Sequence, residues 1–309
     1  MTIGDMSGVA TKIENNDFTA KLRGRWRTDV ALGPRCWFQV GGPADFLFTP
    51  EDDADLQTFF REVPKDLPVT VIGVGSNLLV RDGGVDGVVV RLGRHFAQIE
   101  VHGNEVIAGA GALDLNVATV AMEHSVAGLE FLSGIPGTIG GAVAMNAGAY
   151  GREIKDVLVY AEVMLTDGTI HKMTAEDLQL TYRHAELPEG AIVLRAVLKG
   201  EAGDKEKIKA AMTKIQEERA STQPIKSRTG GSTFKNPEGK RAWQLVDEAG
   251  CRGLMIGKAQ VSEKHTNFLI NTGDATAAEL EALGEEVRSR VKAKSGTELQ
   301  WEIKRIGRS

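Results

Sequence analysis

Small residues dominate the segment Ser133-Gly-Ile-Pro-Gly-Thr-Ile-Gly-Gly-Ala-Val-Ala-Met-Asn-Ala-Gly-Ala-Tyr-Gly151. Its opening residues Gly134, Ile135, Pro136 and Gly137, followed by Gly140 and Gly141, let a large flat ligand or another backbone approach closely. A helix packed tightly on a neighbour through Gly and Ala would use the same composition. Further upstream, Gly73-Val-Gly-Ser-Asn77 follows the apolar, β-branched run Val69–Val74. Gly73 and Gly75 allow a sharp turn with successive N–H groups facing one concavity, which binds phosphate without a lysine. Ser76 and Asn77 add hydroxyl and amide donors. An ordinary tight turn is the alternative for this string alone. Together the two segments fit a dinucleotide with a pyrophosphate and a broad ring.

Other nucleotide folds fit less well. Gly109-Ala-Gly111 precedes a helical pattern, but Asp114 stands where the dinucleotide fingerprint of a Rossmann fold needs its third glycine. No GxxxxGK[ST] string occurs. Strand and helix patterns mix without regular βαβ alternation, so the expected class is α+β. Strands are expected at Cys36–Val40, Phe46–Thr49, Val69–Val74, Val85–Arg91, Glu105–Ala108, Val157–Leu165, Thr169–Met173, Ala191–Lys199, Phe268–Asn271 and Leu299–Ile306. Helices are expected at Asp53–Val63, Leu113–Glu123 with Asp114 as a cap, Lys205–Arg219 and Ala242–Glu248. A last helix opens on a Thr276/Glu279 capping box and buries Leu280, Leu283, Val287 and Val291.

The 309 residues imply more than one domain. The polar linker Gly200–Asp204 marks a boundary. The expected organisation is an N-terminal arm over 1–30, a two-lobed domain over 31–203 (31–92 and 93–203), and a C-terminal α+β domain over 204–309. A formal net charge of −5 gives no support to a nucleic-acid or anionic-membrane surface. Two distant cysteines, Cys36 and Cys251, read as reduced thiols, and scattered histidines leave no metal-ligand spacing. No apolar run approaches the roughly 20 residues of a membrane span, so a cytoplasmic protein is expected.

Six strings occur in a distinctive order: Val40-Gly-Gly-Pro-Ala44, Gly73-Val-Gly-Ser-Asn-Leu-Leu79, Gly134 to Gly151, Tyr182-Arg183, Gly231-Ser-Thr-Phe-Lys-Asn-Pro237 and Leu299-Gln-Trp-Glu-Ile-Lys304. In combination they resemble the UDP-N-acetylenolpyruvoylglucosamine reductases, also called UDP-N-acetylmuramate dehydrogenases. The resemblance implies a two-lobed FAD-binding region of the vanillyl-alcohol-oxidase type and a C-terminal substrate-binding domain to which the last strand returns. It implies noncovalent FAD, NADPH as hydride source, and reduction of UDP-N-acetylglucosamine enolpyruvate to UDP-N-acetylmuramate for peptidoglycan precursor synthesis, with no obligate protein partner. The glycine segments at 73–77 and 134–141 would hold the FAD. Ser232 follows Arg183 by only 49 positions, which matches the shorter family type without a tyrosine-loop insertion. Gln39 departs from a basic residue common before Val-Gly-Gly. Thr222 departs from a substrate-binding lysine of some relatives, a role Lys226 could take.

The same resemblance carries over residue roles. Arg183 would stabilise charge building on a substrate carboxylate, for which a permanently charged, bidentate guanidinium suits. Ser232 would deliver the proton, helped by Lys235 or water. Glu302 would act as a second catalytic carboxyl, its protonated form favoured beside a substrate carboxylate. Tyr182, Asn236 and His265 are substrate-binding candidates. Two alternatives share the glycine segments: another FAD oxidase or dehydrogenase, and a nucleotide-binding module without chemistry. Neither explains Arg183, Ser232 and Glu302 together.

Overall fold

The computed structural model describes residues 17–309, which form two compact units. The first comprises the described residues to Val30, Ala44–Gly73 and Asp86–Met212. The second comprises Ala31–Pro43, Val74–Val85 and Thr213–Ser309. The chain is α+β, as expected, but the division is not linear. Two short segments, 31–43 and 74–85, belong with the C-terminal unit. Their side chains explain why: Phe38, Val40 and Leu79 lie in one buried cluster with Leu245, Val261, Leu280, Leu283 and Ile303.

Among the described residues the first unit has two larger sheets, besides two two-stranded pairs. One is four-stranded, in the order Arg25–Ala31, Pro43–Thr49, Val85–Arg91, Val69–Ile72, with the last two parallel. The other is five-stranded and antiparallel, in the order Ile170–Met173, Leu158–Met164, Ile192–Lys199, Glu105–Gly109, Ile99–His102. The Asp53–Glu62 helix packs Leu56, Phe59 and Phe60 against Phe46 and Phe48 of the first sheet and Met164, Ile192 and Leu194 of the second. Residues 1–16 of the expected arm lie outside the described residues. From Asp17 the chain is part of this core: Phe18 is buried against Trp26 and Phe59. Buried Asp55 fastens that entry by accepting the backbone N–H groups of Arg23, Gly24 and Glu51.

The second unit centres on the Ala277–Ser295 helix, whose stripe Leu280, Leu283, Val287 and Val291 is fully buried, and whose Thr276/Glu279 capping box forms as expected. Around it lie a three-stranded antiparallel sheet (Met255–Ile256, Ala259–Val261, Leu269–Asn271) and a parallel pair joining Leu78–Val80 to Lys304–Ile306.

Three local expectations change. Residues 36–40 are not a strand: a 3-10 turn over Gly33–Arg35 leads into a loop with Gln39 at φ 55°. Only Lys304–Ile306 of 299–306 is a strand, with an isolated bridge at Trp301. Asp114 is not a cap. It is the first residue of the Asp114–Glu123 helix, fully buried, and among the described residues neither carboxylate oxygen has a hydrogen-bond partner.

Burial pushes the Asp114 carboxyl well above the ordinary carboxylate range. The folded chain therefore holds its proton more tightly than the unfolded chain does. Between the unfolded value, about 3.9, and the raised folded value, stability falls as pH rises. Asp114→Asn should melt higher than the parent apoprotein at pH 8, and that advantage should shrink toward pH 4. Thermal melts across this range check it; an advantage independent of pH would mean the carboxyl is not held neutral.

Candidate active site

The loop after Val69–Ile72 is built for close approach. A Cβ on Gly73 would stand 2.6 Å from Thr138 Oγ1, and Gly75, at φ 68°, would place one 2.9 Å from Cys36. The amides of Val74, Gly75 and Ser76 donate to no other backbone group among the described residues. They are the donors an anionic group such as a pyrophosphate requires.

The second glycine segment is organised differently. Ile135, Gly137, Ile139 and Gly140 already donate their amides, to Leu132, Ile135, Ala112 and Ala110 respectively. A Cβ on Gly140 would lie 2.9 Å from that of Ala110, so this glycine serves close packing. Gly141 is exposed and would meet nothing nearer than Thr138 Oγ1 at 3.8 Å. Gly134 is buried and Ile135, Pro136 and Gly137 are half-buried. The segment thus offers a smooth, compact wall more than a nest of amides.

In the first unit, Arg183 sits at the corner of a tight turn closed by two hydrogen bonds between Thr181 and His184. Its φ is 54°, a left-handed conformation that costs an arginine energy and recurs at functional sites. Its Nη2 donates to the Gly148 carbonyl at 2.7 Å, and its guanidinium lies 5.1 Å from the Tyr182 ring centre. Tyr182 itself is exposed. The turn hangs from a residue that the sequence reading passed over. Asn146, fully buried, donates Nδ2 to Thr181 O (2.9 Å) and Glu153 Oε2 (3.0 Å), and accepts the Lys155 N–H at Oδ1 (2.9 Å). An amide inside the otherwise apolar run Ala142–Ala149 was the available signal.

In the second unit the structure brings Ser232, Glu302, Ser76 and Asn77 onto neighbouring strips of backbone. Gly231, at φ 81°, turns the chain into Ser232, and the nearest atom to a Cβ there would be Ser76 O, at 4.0 Å. Glu302 N donates to Thr233 O at 2.8 Å, and Asn77 Nδ2 donates to Glu302 O at 3.2 Å. Ser232 and Glu302 are both half-buried. On its other side Ser232 bridges Phe268, against whose ring His265 packs edge-on at 4.8 Å. Burial lowers the His265 pKa, which favours the neutral ring, and among the described residues its buried Nδ1 has no hydrogen-bond partner. Asn236 uses its amide oxygen to accept the Ala242 N–H at 2.9 Å. Lys235 is half-buried, its backbone N–H bonded to Gln300 O at 2.8 Å.

Cys36 and Cys251 are buried, and among the described residues neither forms a disulfide. Among the described residues no acidic, His or Cys cluster could hold a metal, and no helix is long and apolar enough to cross a membrane.

Comparison with known proteins adds to this geometry. Residues 44–174 match a family described as an FAD binding domain, and residues 223–306 match one described as UDP-N-acetylenolpyruvoylglucosamine reductase, C-terminal domain. Proteins named UDP-N-acetylenolpyruvoylglucosamine reductase from Gluconobacter oxydans and Acidiphilium cryptum are 56% and 58% identical, over 95% and 93% of this chain and 96% and 93% of theirs. The crystal structure of the reductase of that name from Thermus caldophilus aligns with a TM-score of 0.80 at 37% identity, covering 93% of this chain and all of that one.

Replacing the buried Asn146 by Ala removes three hydrogen bonds and puts a poorer residue at φ 43°. Asn146→Ala is expected to lose about 2–4 kcal/mol of stability. Urea titration measures this directly, and a loss below about 0.5 kcal/mol, the size of a neutral surface change, would mean the amide does not hold the Arg183 turn.

Proposed function

The chain belongs to the UDP-N-acetylenolpyruvoylglucosamine reductase family and carries its FAD-binding domain, and from that premise we propose that it reduces UDP-N-acetylglucosamine enolpyruvate to UDP-N-acetylmuramate at the expense of NADPH, a cytoplasmic step of peptidoglycan precursor synthesis. The observation that carries this reading is the pairing of Ser232 and Glu302 on adjoining backbone, tied by the Glu302 N–H to Thr233 O, in a chain that also spends strain on Arg183.

Bound FAD would supply the hydride, taken from NADPH, to one carbon of the enol ether double bond. The remaining chemistry falls to the protein. As hydride arrives, negative charge builds toward the substrate carboxylate, and Arg183 is assigned to neutralise it. The Gly148 carbonyl and the Tyr182 ring fix the guanidinium before substrate binds, so little reorganisation is left for the reaction itself. Ser232 is assigned the proton delivered to the other alkene carbon, regenerated through Lys235 or water. Glu302 is assigned to hydrogen-bond the substrate carboxylate in its protonated form. The open amides at 74–76 and the small-residue wall at 134–141 are assigned to FAD. Asn236 and His265 remain the substrate-binding candidates in the second unit, together with Tyr182 in the first. The neutral imidazole of His265 suits a hydrogen bond to an uncharged or anionic group without adding a fixed charge.

Two measurements test the reading. The purified protein should show flavin absorption that bleaches with NADPH in the absence of oxygen and returns on adding UDP-N-acetylglucosamine enolpyruvate. Bleaching without return would keep the FAD domain and remove the substrate. Ser232→Ala should retain FAD, bleach normally, and slow the return roughly a hundred- to ten-thousand-fold, the worth of a positioned proton donor. Normal turnover by that variant would take Ser232 out of the reaction.

A further inference from the structure

The Ala277–Ser295 helix has a glycine at 284, buried in its interior. Glycine is among the poorest helix formers, and nothing in the helical backbone calls for it at this position. The reason lies outside the helix. A Cβ on Gly284 would stand 2.2 Å from Cη2 and 2.3 Å from Cζ2 of Trp301. The missing side chain is a socket for the indole.

The indole is held from other sides as well. Its Nε1 donates to Glu285 Oε1 at 2.8 Å, the Arg305 guanidinium lies 4.6 Å from the ring centre, and the Phe234 ring packs at 5.3 Å. Arg305 Nη1 donates to Glu281 and Glu285 at 2.8 and 3.2 Å, and Arg81 grips Glu281 through two hydrogen bonds of 3.0 and 2.9 Å. Trp301 precedes Glu302 directly. Through an isolated bridge it also pairs with Phe234, two residues beyond Ser232. One side chain therefore sits behind both candidate catalytic residues of this unit.

We propose that Trp301, seated on Gly284, is a positioning residue that sets Glu302 and Ser232 in register with each other. The proposal rests on the reductase reading for its catalytic consequence but on the packing alone for its structural one. It acts by holding an irregular strip of chain. Between Trp301 and Lys304 regular pairing gives way to bonds from both Glu302 N and Ile303 N to Thr233 O, at 2.8 and 3.4 Å. Such a strip is held by single hydrogen bonds to Lys235, Thr233 and Asn77 in place of a continuous ladder, and the indole adds a side-chain constraint to them.

The test uses the FAD-loaded protein in two separated half-reactions, bleaching by NADPH and recolouring by UDP-N-acetylglucosamine enolpyruvate. Gly284→Ala should leave FAD content and bleaching within about twofold and slow recolouring about a hundredfold, the scale of an ångström-level misplacement. The smaller ring of Trp301→Phe should rescue it: Gly284→Ala/Trp301→Phe should recolour at least tenfold faster than Gly284→Ala alone. If Gly284→Ala does not fold, Trp301→Phe and Glu285→Gln carry the same comparison, each slowing recolouring and sparing bleaching. Normal recolouring in the folded variants, or equal slowing of both half-reactions, overturns the proposal. Should the parent protein itself fail to recolour, the reductase reading falls, and positioning is read from amide hydrogen exchange over residues 299–306. Faster exchange there in the variants supports it, and unchanged exchange overturns it.

Discussion

Buried backbone that is not helix or sheet must still find hydrogen-bond partners, and this protein meets that demand with side-chain amides and carboxylates. An unpaired buried N–H or C=O costs about 1–3 kcal/mol, and the candidate site residues lie on loops and single bridges where no regular ladder supplies partners. Asn267 meets the need at Phe234, accepting its N–H at 3.0 Å and donating to its carbonyl at 2.8 Å. Asn271 donates to Phe38 O and accepts from Gly273 and Ala275. Asn146 does the same for the Arg183 turn, and Asp55 for the chain entering the first sheet. Each strut imitates a backbone group from a side chain, which lets the main chain depart from regular pairing where chemistry requires it.

This also explains which parts of the fold could be read from the sequence. Four strands of the five-stranded sheet were legible, Leu158–Met164 and Ile192–Lys199 as largely apolar runs, whereas its edge strand Ile99–His102 was not expected. The Ala277–Ser295 helix was legible because its apolar spacing and capping box agree. The strand expected at 299–306 was read from the same kind of pattern, yet most of it pairs with nothing regular. Its side chains alternate as a strand's would, but its hydrogen bonds are set by Thr233 and Asn77, far away in sequence. The interleaved units were invisible for a related reason. Phe38, Val40 and Leu79 are apolar residues suited to any core, and nothing local shows that the Ala277–Ser295 helix is the one they join.

The candidate site was legible as a set of residue types and not as a geometry. Gly231 could be read as a turn residue, and its φ of 81° bears that out. The left-handed backbone of Arg183, Asn146 and Tyr150, at 54°, 43° and 54°, could not be read, because only asparagine among them advertises that tendency. Asp114 shows the opposite failure. A carboxylate at the start of a helix is normally exposed and favourable there, so its complete burial without a partner contradicts the local signal.

These irregularities carry an energetic cost, and its distribution bears on how the site works. Strain at Arg183 persists only where surrounding contacts over-determine the turn, and Asn146 together with the Gly148 carbonyl supplies that surplus from within the same unit. The strip bearing Glu302 is held by a different device, an indole in a glycine socket ringed by Arg81, Glu281, Glu285 and Arg305. One group is thus fixed by buried neutral amides and the other by a charged lattice near the surface. Charge pairs that are partly exposed, as these are, weaken somewhat as salt screens them, whereas buried amide bonds do not. The two stretches of chain should therefore respond differently to ionic strength, with the Glu302 strip loosening first and the Arg183 turn remaining set.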